Sequence, residues 1–323
     1  MTWKDVNVLV TGVNGFVGSG IAKTLVEKGA GVVALLRDDI PGSPLEYSKV
    51  RDRLKGIVNG DLTNYQVVQR AFNEYEIEAC FHLAAQAIVG VANRSPLSTF
   101  ESNIRGTWNV LEAARNSEVL GKLVIASSDK AYGEHEKLPY NEDYCLNALH
   151  PYDASKACAD ILARTYYNTY NLPVCVARCA NIYGGGDLNF SRLVPDTIRS
   201  ILQGGNPIIR SDGTPVRDYL YIKDAVSAYL TLGKKSGKVK GEAVNFGSDA
   251  PISVLELVTK ILEISSSDLR PIIKGTGKIK GEIDRQYLSS EKAGKLLRWA
   301  PRYELEDGLK ETFEWYKSYF ASL

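Results

Sequence analysis

The chain has 323 residues, 44% of them hydrophobic and 24% charged, which suits one large or two fused α/β units and excludes a disordered or fibrous protein. A formal net charge of +1 and a pI near 7.6 give no global field for nucleic acid or an anionic membrane, so neither is expected as a partner and local groups must meet any anionic ligand. The longest apolar runs, such as Val6 to Val10 and Ile77 to Ala85, have the length of strands and not of bilayer spans. The first of them follows Met-Thr-Trp-Lys-Asp directly, leaving no room for a signal peptide, and a cytoplasmic location is expected.

Strand-like and helix-period segments alternate from the start. Val6 to Val10 is followed by Gly15 to Lys28, with Val17, Ile21 and Leu25 on one stripe, and then by Gly31 to Leu36, a βαβ opening. Further strands are expected at Gly56 to Asn59, Ala79 to Leu83, Leu123 to Ser127 and Val174 to Ala177, with helices at Leu97 to Ser117 and Tyr152 to Tyr170. The expected fold class is α/β: a Rossmann-type, doubly wound parallel sheet with a smaller mixed α/β substrate lobe towards the C-terminus. The lobe begins near Gly184, where the rhythm changes to short elements: a Gly-rich turn, the segment Leu193 to Gly204, and a Pro/Gly-punctuated, hairpin-like stretch from Asn206 to Tyr221. Ala243 to Phe246 reads as a strand returning to the main sheet. The expected division is therefore 1–184 with 218–247 for the dinucleotide domain, and 185–217 with 248–323 for the lobe.

Between the first strand and its helix lies Thr11-Gly12-Val13-Asn14-Gly15-Phe16-Val17-Gly18. In that context Gly12 permits the tight turn, Gly15 lets backbone approach a pyrophosphate, Gly18 allows close helix packing, and the helix N-terminus attracts phosphate. The loop residues Asn14, Phe16 and Val17 belong to the same dinucleotide site. Asp38 stands at the offset where an acid takes ribose hydroxyls, whereas its neighbour Arg37 suits a 2′-phosphate or stacks on adenine, so NAD and NADP both stay open. Asp61 is placed to touch adenine or to cap a helix near Thr63.

Tyr152 and Lys156 are four apart at the start of a helix that Pro151 can begin, so both side chains share one face. An adjacent ammonium and an oxidised nicotinamide both favour the phenolate, which would let Tyr152 take a hydroxyl proton from a substrate. The five cysteines, Cys80, Cys145, Cys158, Cys175 and Cys179, read as reduced core residues, and no metal site is expected.

With the glycine loop and the Tyr152/Lys156 pair in hand, the sequence resembles the extended short-chain dehydrogenase/reductase family, specifically its nucleotide-sugar epimerases and dehydratases. The matching positions run in order through Asp61-Leu62, His82-Leu83-Ala84-Ala85, Asn103, Gly106-Thr107, Ser127-Ser128, Arg178 to Gly184 and Arg217-Asp218-Tyr219. The resemblance implies a recycled, tightly held NAD or NADP flanked by Leu62, Leu83, Ala84 and Ala85. It implies that Ser128 bridges the substrate hydroxyl and Tyr152, that Asn103 braces the site, that Lys156 also holds the nicotinamide ribose, and that His82 plays a structural part lining the dinucleotide site. A homodimer through the helices of Tyr152 and Asn103 is implied too. Asp129-Lys130 looks like the pair of CDP-glucose 4,6-dehydratases, with Lys130 as the C5 base, provided that burial and nearby positive charge lower its pKa, and Asp129 as the acid at C6. The other reading of that pair is a surface ion pair at a strand end, which leaves a 4-epimerase or reductase. A non-catalytic dinucleotide sensor on the same fold ranks third, because such proteins typically lose the tyrosine or the lysine. Asn181 and Arg192, Arg217 and Arg285 are the expected contacts to a nucleotide-diphosphate hexose, a fork-shaped guanidinium suiting a diphosphate, each arginine being otherwise an exposed salt-bridge partner; Arg217 and Arg285 are favoured because Val216 to Tyr221 and Glu282 to Tyr287 match segments that cap the nucleotide in the family.

Overall fold

The computed structural model describes residues 2–276 and 283–323. Seven strands form one parallel sheet: β1 (Asn7–Thr11), β2 (Gly31–Leu36), β3 (Gly56–Asn59), β4 (Ala79–His82), β5 (Lys122–Ala126), β6 (Val174–Cys179) and β7 (Ala243–Phe246). Their order across the sheet is β7-β6-β5-β4-β1-β2-β3. Successive side chains of β1 leave on opposite faces, and both faces are covered: Val8 and Val10 join a cluster with Ile21, Leu25 and Phe81, while Leu9 joins Val33, Phe72, Leu111 and Ile125. Continuous apolar strands are what a sheet buried on both sides requires. The strand order reverses beside β1, which pairs with β2 on one side and β4 on the other. A crevice opens there at the carboxyl ends of the strands.

Helix α1 (Phe16–Glu27) follows β1 and buries Ile21, Ala22 and Leu25. The helix expected from Leu97 to Ser117 runs from Pro96 to Arg115 and contains a wide π turn at Glu101–Arg105, between Pro96–Phe100 and α2 (Gly106–Arg115). The Thr107 hydroxyl donates to the Asn103 carbonyl (2.6 Å), and the Asn103 amide is taken up by neighbours outside the helix. Side-chain bonds of this kind compete with the regular helical ladder. Helix α3 (Pro151–Tyr170) starts on Pro151, as expected, and ends at Asn171 in the left-handed conformation. It is tied to β6 by a buried bidentate pair, Arg178 to Asp160 at 2.8 and 2.9 Å.

The hairpin expected between Asn206 and Tyr221 does not form. Ile208–Ile209 pairs with Ile272–Ile273, Val216–Arg217 with Ile252–Ser253 and Arg285–Gln286, and Tyr219–Tyr221 with Asn181–Tyr183. Pro207, Gly213 and Pro215 break the segment into pieces too short to pair with each other, so each finds a distant partner. Helices α4 (Leu193–Leu202), α5 (Ile222–Lys234), α6 (Val254–Ser265) and α7 (Leu305–Ala321) complete the chain. Of these, α5 packs on α1, whereas α4, α6 and α7 build a third apolar cluster around Ile198, Leu257, Ile261, Phe313 and Tyr316. Cys80, Cys175 and Cys179 are buried, but Cys145 is exposed and so is not the core residue expected. Among the described residues no helix is long and apolar enough to cross a membrane, and no group of side chains could hold a metal ion.

Candidate active site

A cavity of about 1000 Å³ lies across the carboxyl ends of β1, β4, β5 and β6. Its dinucleotide side is set by the glycine loop. Gly12 has φ +72°, and a Cβ there would stand 2.7 Å from the Ala84 nitrogen; a Cβ on Gly18 would stand 2.2 Å from the Gly12 carbonyl oxygen. Only glycine permits this approach. Helix α1 begins at this loop with no acidic residue in its first turn and no side-chain cap, so its amide dipoles are aimed into the cavity uncancelled. Gly12, Asn14, Gly15, Phe16, Val17, Gly18, Arg37, Asp38, Asp61, Leu62, Leu83, Ala84 and Ala85 all line the space. Arg37 Nε donates to Asp38 Oδ2 at 2.6 Å, and Asn14 Nδ2 donates to the Asp38 carbonyl at 2.9 Å. Asp61 also accepts from the Thr63 amide (2.8 Å), while the following helix starts two residues later, at Tyr65, capped by Asn64.

Asn103 and His82 do not line the cavity but brace it. Asn103 Nδ2 donates to Ser155 Oγ (2.8 Å) and Asn103 Oδ1 accepts from the Gln86 amide (2.7 Å), joining the π turn, α3 and the loop after β4. His82 sits between Thr11 Oγ1 and Thr107 Oγ1, at 2.8 and 3.0 Å. Because the Thr107 proton goes to the Asn103 carbonyl, His82 Nε2 donates to Thr107 and Nδ1 accepts from Thr11. Burial, then the nearby Lys156 charge, pushes His82 down to about 3, so the ring is neutral and structural. The expectation that it lines the dinucleotide site is corrected: it is buried behind the cavity wall.

Ser128, Asp129, Lys130, Tyr152 and Lys156 converge on the cavity. The Lys156 ammonium is buried and donates to the Ala126 carbonyl at 2.7 Å; burial pulls it down to about 8. Tyr152 is governed by burial. Burial pushes its phenol up to about 12, with the Arg192 charge and the Ser128 hydroxyl pulling the other way, because desolvation of a phenolate outweighs these partners. Asp129 is 1% exposed. Its Oδ1 accepts from Ser128 Oγ (2.8 Å), its Oδ2 has no hydrogen-bond partner, and burial raises its pKa against the pull of Lys130, Ser128 and Arg217. The surface ion pair considered for Asp129-Lys130 is therefore not what the structure contains.

On the substrate side, Asn181, Arg192 and Arg217 line the cavity, Arg192 Nη1 being paired with the buried Asp187 carboxylate at 2.9 Å. Arg217 donates to the carbonyls of Val216 and Asp284, at 2.9 and 3.0 Å. Arg285 is corrected: it is exposed and outside the cavity lining, its guanidinium 5.9 Å from the Tyr287 ring. Alternation along the strand turns its neighbour Gln286 inward instead. Glu282, at the head of the same segment, lies outside the described residues. Sequence reasoning missed Gln286, whose Nε2 donates to the Asp129 carbonyl at 3.0 Å, and the pairing of Arg192 with Asp187.

Residues 9–312 match the GDP-mannose 4,6-dehydratase family. The chain belongs to this family. Its relatives carry two chemistries. The chain is 28% identical to CDP-glucose 4,6-dehydratase of Salmonella typhimurium, covering 98% of this chain and 92% of the relative. It is 32% identical to UDP-glucuronate 4-epimerase of Thermodesulfobacterium geofontis, covering 96% and 95%. Among solved structures it is similar to UDP-glucose 4-epimerase of Thermotoga maritima with UDP-glucose (TM-score 0.90, 30% identity, 98% of this chain and 100% of that one). It is also similar to dTDP-glucose 4,6-dehydratase of Bacillus anthracis in complex with NAD (TM-score 0.85, 28% identity, 97% of each). The Rossmann-type fold and membership among NAD(P)-dependent nucleotide-sugar dehydratases and epimerases are thereby both met, as the sequence led one to expect.

Proposed function

We propose that this protein is a nucleotide-sugar 4,6-dehydratase. The observation that carries the reading is the Ser128-Asp129-Lys130 turn at the end of β5, which lines the same cavity as Tyr152 and Lys156 and contains a carboxyl that burial biases towards its neutral, proton-donating form. An acid of that kind is what departure of a C6 hydroxyl needs and what a 4-epimerase does without.

The glycine cradle and the uncapped start of α1 fit a dinucleotide pyrophosphate. Asp38 next to Arg37 supports NAD over NADP, since its carboxylate already engages the guanidinium and would repel a 2′-phosphate. Bound NAD would accept hydride from C4 of the sugar and return it to C6, and its oxidised ring would add the positive charge that favours a Tyr152 phenolate. Tyr152 would take the O4 proton, with Ser128 bridging the two oxygens and Lys156 holding the nicotinamide ribose. Once C4 is a ketone the C5 proton is acidic, and Lys130 would remove it. Asp129 would protonate the leaving C6 hydroxyl, and Asn181, Arg192 and Arg217 would grip the nucleotide diphosphate.

A 4-epimerase is the second reading, favoured by the Ser128 hydroxyl donating to Asp129: there Asp129 would brace the serine and perform no chemistry. Incubation with a panel of nucleotide hexoses in deuterated water separates the two. Water loss with uptake of one deuterium supports the dehydratase, and its absence in Lys130→Ala identifies the base; a new isobaric sugar without deuterium refutes the dehydratase reading.

We propose the division of the chain into 1–184 with 218–247 and a lobe of 185–217 with 248–323; the third apolar cluster draws mainly on the lobe but includes Tyr183 and Tyr221, while Leu288, Ala293, Leu297 and Trp299 pack in the first cluster. Exposed Leu97, Trp108 and Ile161 on adjoining helices support a homodimer, which sedimentation velocity would test.

A further inference from the structure

Gln286 is fully buried, does not line the cavity, and comes from a segment 157 residues away from Asp129, yet its amide nitrogen donates to the Asp129 carbonyl at 3.0 Å. We propose that Gln286 is a positioning residue, which fixes the Ser128-Asp129-Lys130 turn for elimination and ties it to the strand rung that carries Arg217. The assignment rests on the dehydratase reading.

Two geometric facts support it. Gln286 is paired in register with Arg217, and Arg217 lines the cavity where a diphosphate would bind. One short ladder thus links the anion-binding end of the substrate site to the main chain of the acid. A diphosphate seated on Arg217 fixes that rung, and the rung fixes the turn through the amide.

The second fact concerns polar atoms left unmatched. Gln286 Oε1 and Asp129 Oδ2 are both buried acceptors without a hydrogen-bond partner. Buried polar atoms are nearly always partnered, so two exceptions on residues joined by a hydrogen bond call for one explanation. A proton on Asp129 Oδ2 removes a buried charge and turns that atom from an unmatched acceptor into a donor. The direction in which burial moves Asp129 agrees with this. The amide is suited to the task because it carries donor and acceptor with no charge of its own, so it holds the turn without drawing the proton off the acid. A lysine or arginine at the same place would favour the carboxylate and remove the acid.

The test uses the full-length protein with its bound cofactor, as wild type, Gln286→Leu and Gln286→Asn. Leucine removes both polar atoms at similar volume; asparagine keeps the amide but withdraws it by one methylene. Each is given, in deuterated water, the nucleotide hexose that the wild type dehydrates. Three signals are followed: cofactor reduction on mixing, deuterium entry at C5, and water loss. The expected result for Gln286→Leu is a fall in kcat for water loss of about tenfold to hundredfold, the scale of a catalytic group displaced by about an ångström. KM stays within about twofold, and cofactor reduction and C5 exchange persist. Gln286→Asn falls in between. Water loss at the wild-type rate in Gln286→Leu overturns the proposal. So does an equal loss of all three signals in both variants, which assigns Gln286 to the fold alone. If the wild type dehydrates none of the hexoses, the dehydratase reading itself has failed and this assignment goes with it.

Discussion

Replacing Gly18 with alanine probes the glycine cradle most directly. The added methyl would stand 2.2 Å from the Gly12 carbonyl oxygen, 2.8 Å from its carbon and 3.1 Å from Val13 Cα. All three are backbone atoms, so no side chain can rotate away, and α1 must retreat from β1 by about 1 Å to reach ordinary contact. Overpacking of this kind costs about 1–3 kcal/mol. In a chain of 323 residues that corresponds to a melting temperature lower by roughly 1.5–4.5 °C. The same retreat carries the amides at the start of α1 away from the pyrophosphate. If the full cost appears in binding, NAD affinity weakens by about 5- to 150-fold. Gly20→Ala, two residues along the same helix, is the control: its methyl meets only the Val226 and Ile222 side chains, at 3.0 Å and beyond, and alanine favours a helix by about 1 kcal/mol. Calorimetric titration of NAD and a thermal melt on both variants decide the matter. If Gly18→Ala binds NAD as tightly as wild type, the close approach is not what shapes the cofactor site.

Tyr152→Phe removes the hydroxyl proposed to take the O4 proton and should lower turnover by about 10²–10⁴-fold while NAD remains bound, read by product formation and by cofactor content after gel filtration. Burial holds Lys156 near 8 in the folded protein, against 10.5 when unfolded, so the folded state binds fewer protons between those values and this residue's contribution to stability rises with pH through that window. Lys156→Met lacks that rise. Its melting temperature relative to wild type should therefore drop steadily from pH 7 to pH 10, and a constant difference would remove the buried ammonium from the account. Asp160→Ala strands the Arg178 guanidinium, which is 1% exposed, and should destabilise by about 3–5 kcal/mol in chemical denaturation. A loss below about 1 kcal/mol would show that Arg178 finds another partner.

The parts legible in the sequence are those specified by local chemistry. The seven strands announce themselves because a sheet covered on both faces needs uninterrupted apolar runs, and the glycine loop because close backbone approach admits no other residue. Tyr152 and Lys156 were found by helical spacing after Pro151. What escaped depends on contacts distant in sequence. The π turn at Glu101–Arg105 contains neither proline nor glycine; it coincides with Asn103 bonding to Gln86 and Ser155, which no local pattern reveals. The strands between Ile208 and Tyr221 read as a hairpin in the sequence because their partners lie up to 70 residues away. Charge makes Arg285 a diphosphate candidate in the sequence, and only the observed strand register tells that its neighbour Gln286 is the buried one. A neighbouring ammonium can be read from sequence, but the burial that raises the Tyr152 phenol cannot.

The position of β7 bears on how the molecule comes to be made. It is the last strand of the sheet in sequence but lies at an edge against β6, with Ala243 opposite Val176. A nascent chain can therefore assemble six strands while β7 is still awaiting synthesis, with the edge of β6 unpaired throughout that interval. An unpaired edge in a partly made protein invites association with other chains, and the translation of residues between β6 and β7 leaves such an edge open. For the same reason a fragment cut after Gly184 would keep the glycine cradle and Tyr152 yet lack the strand that closes the sheet.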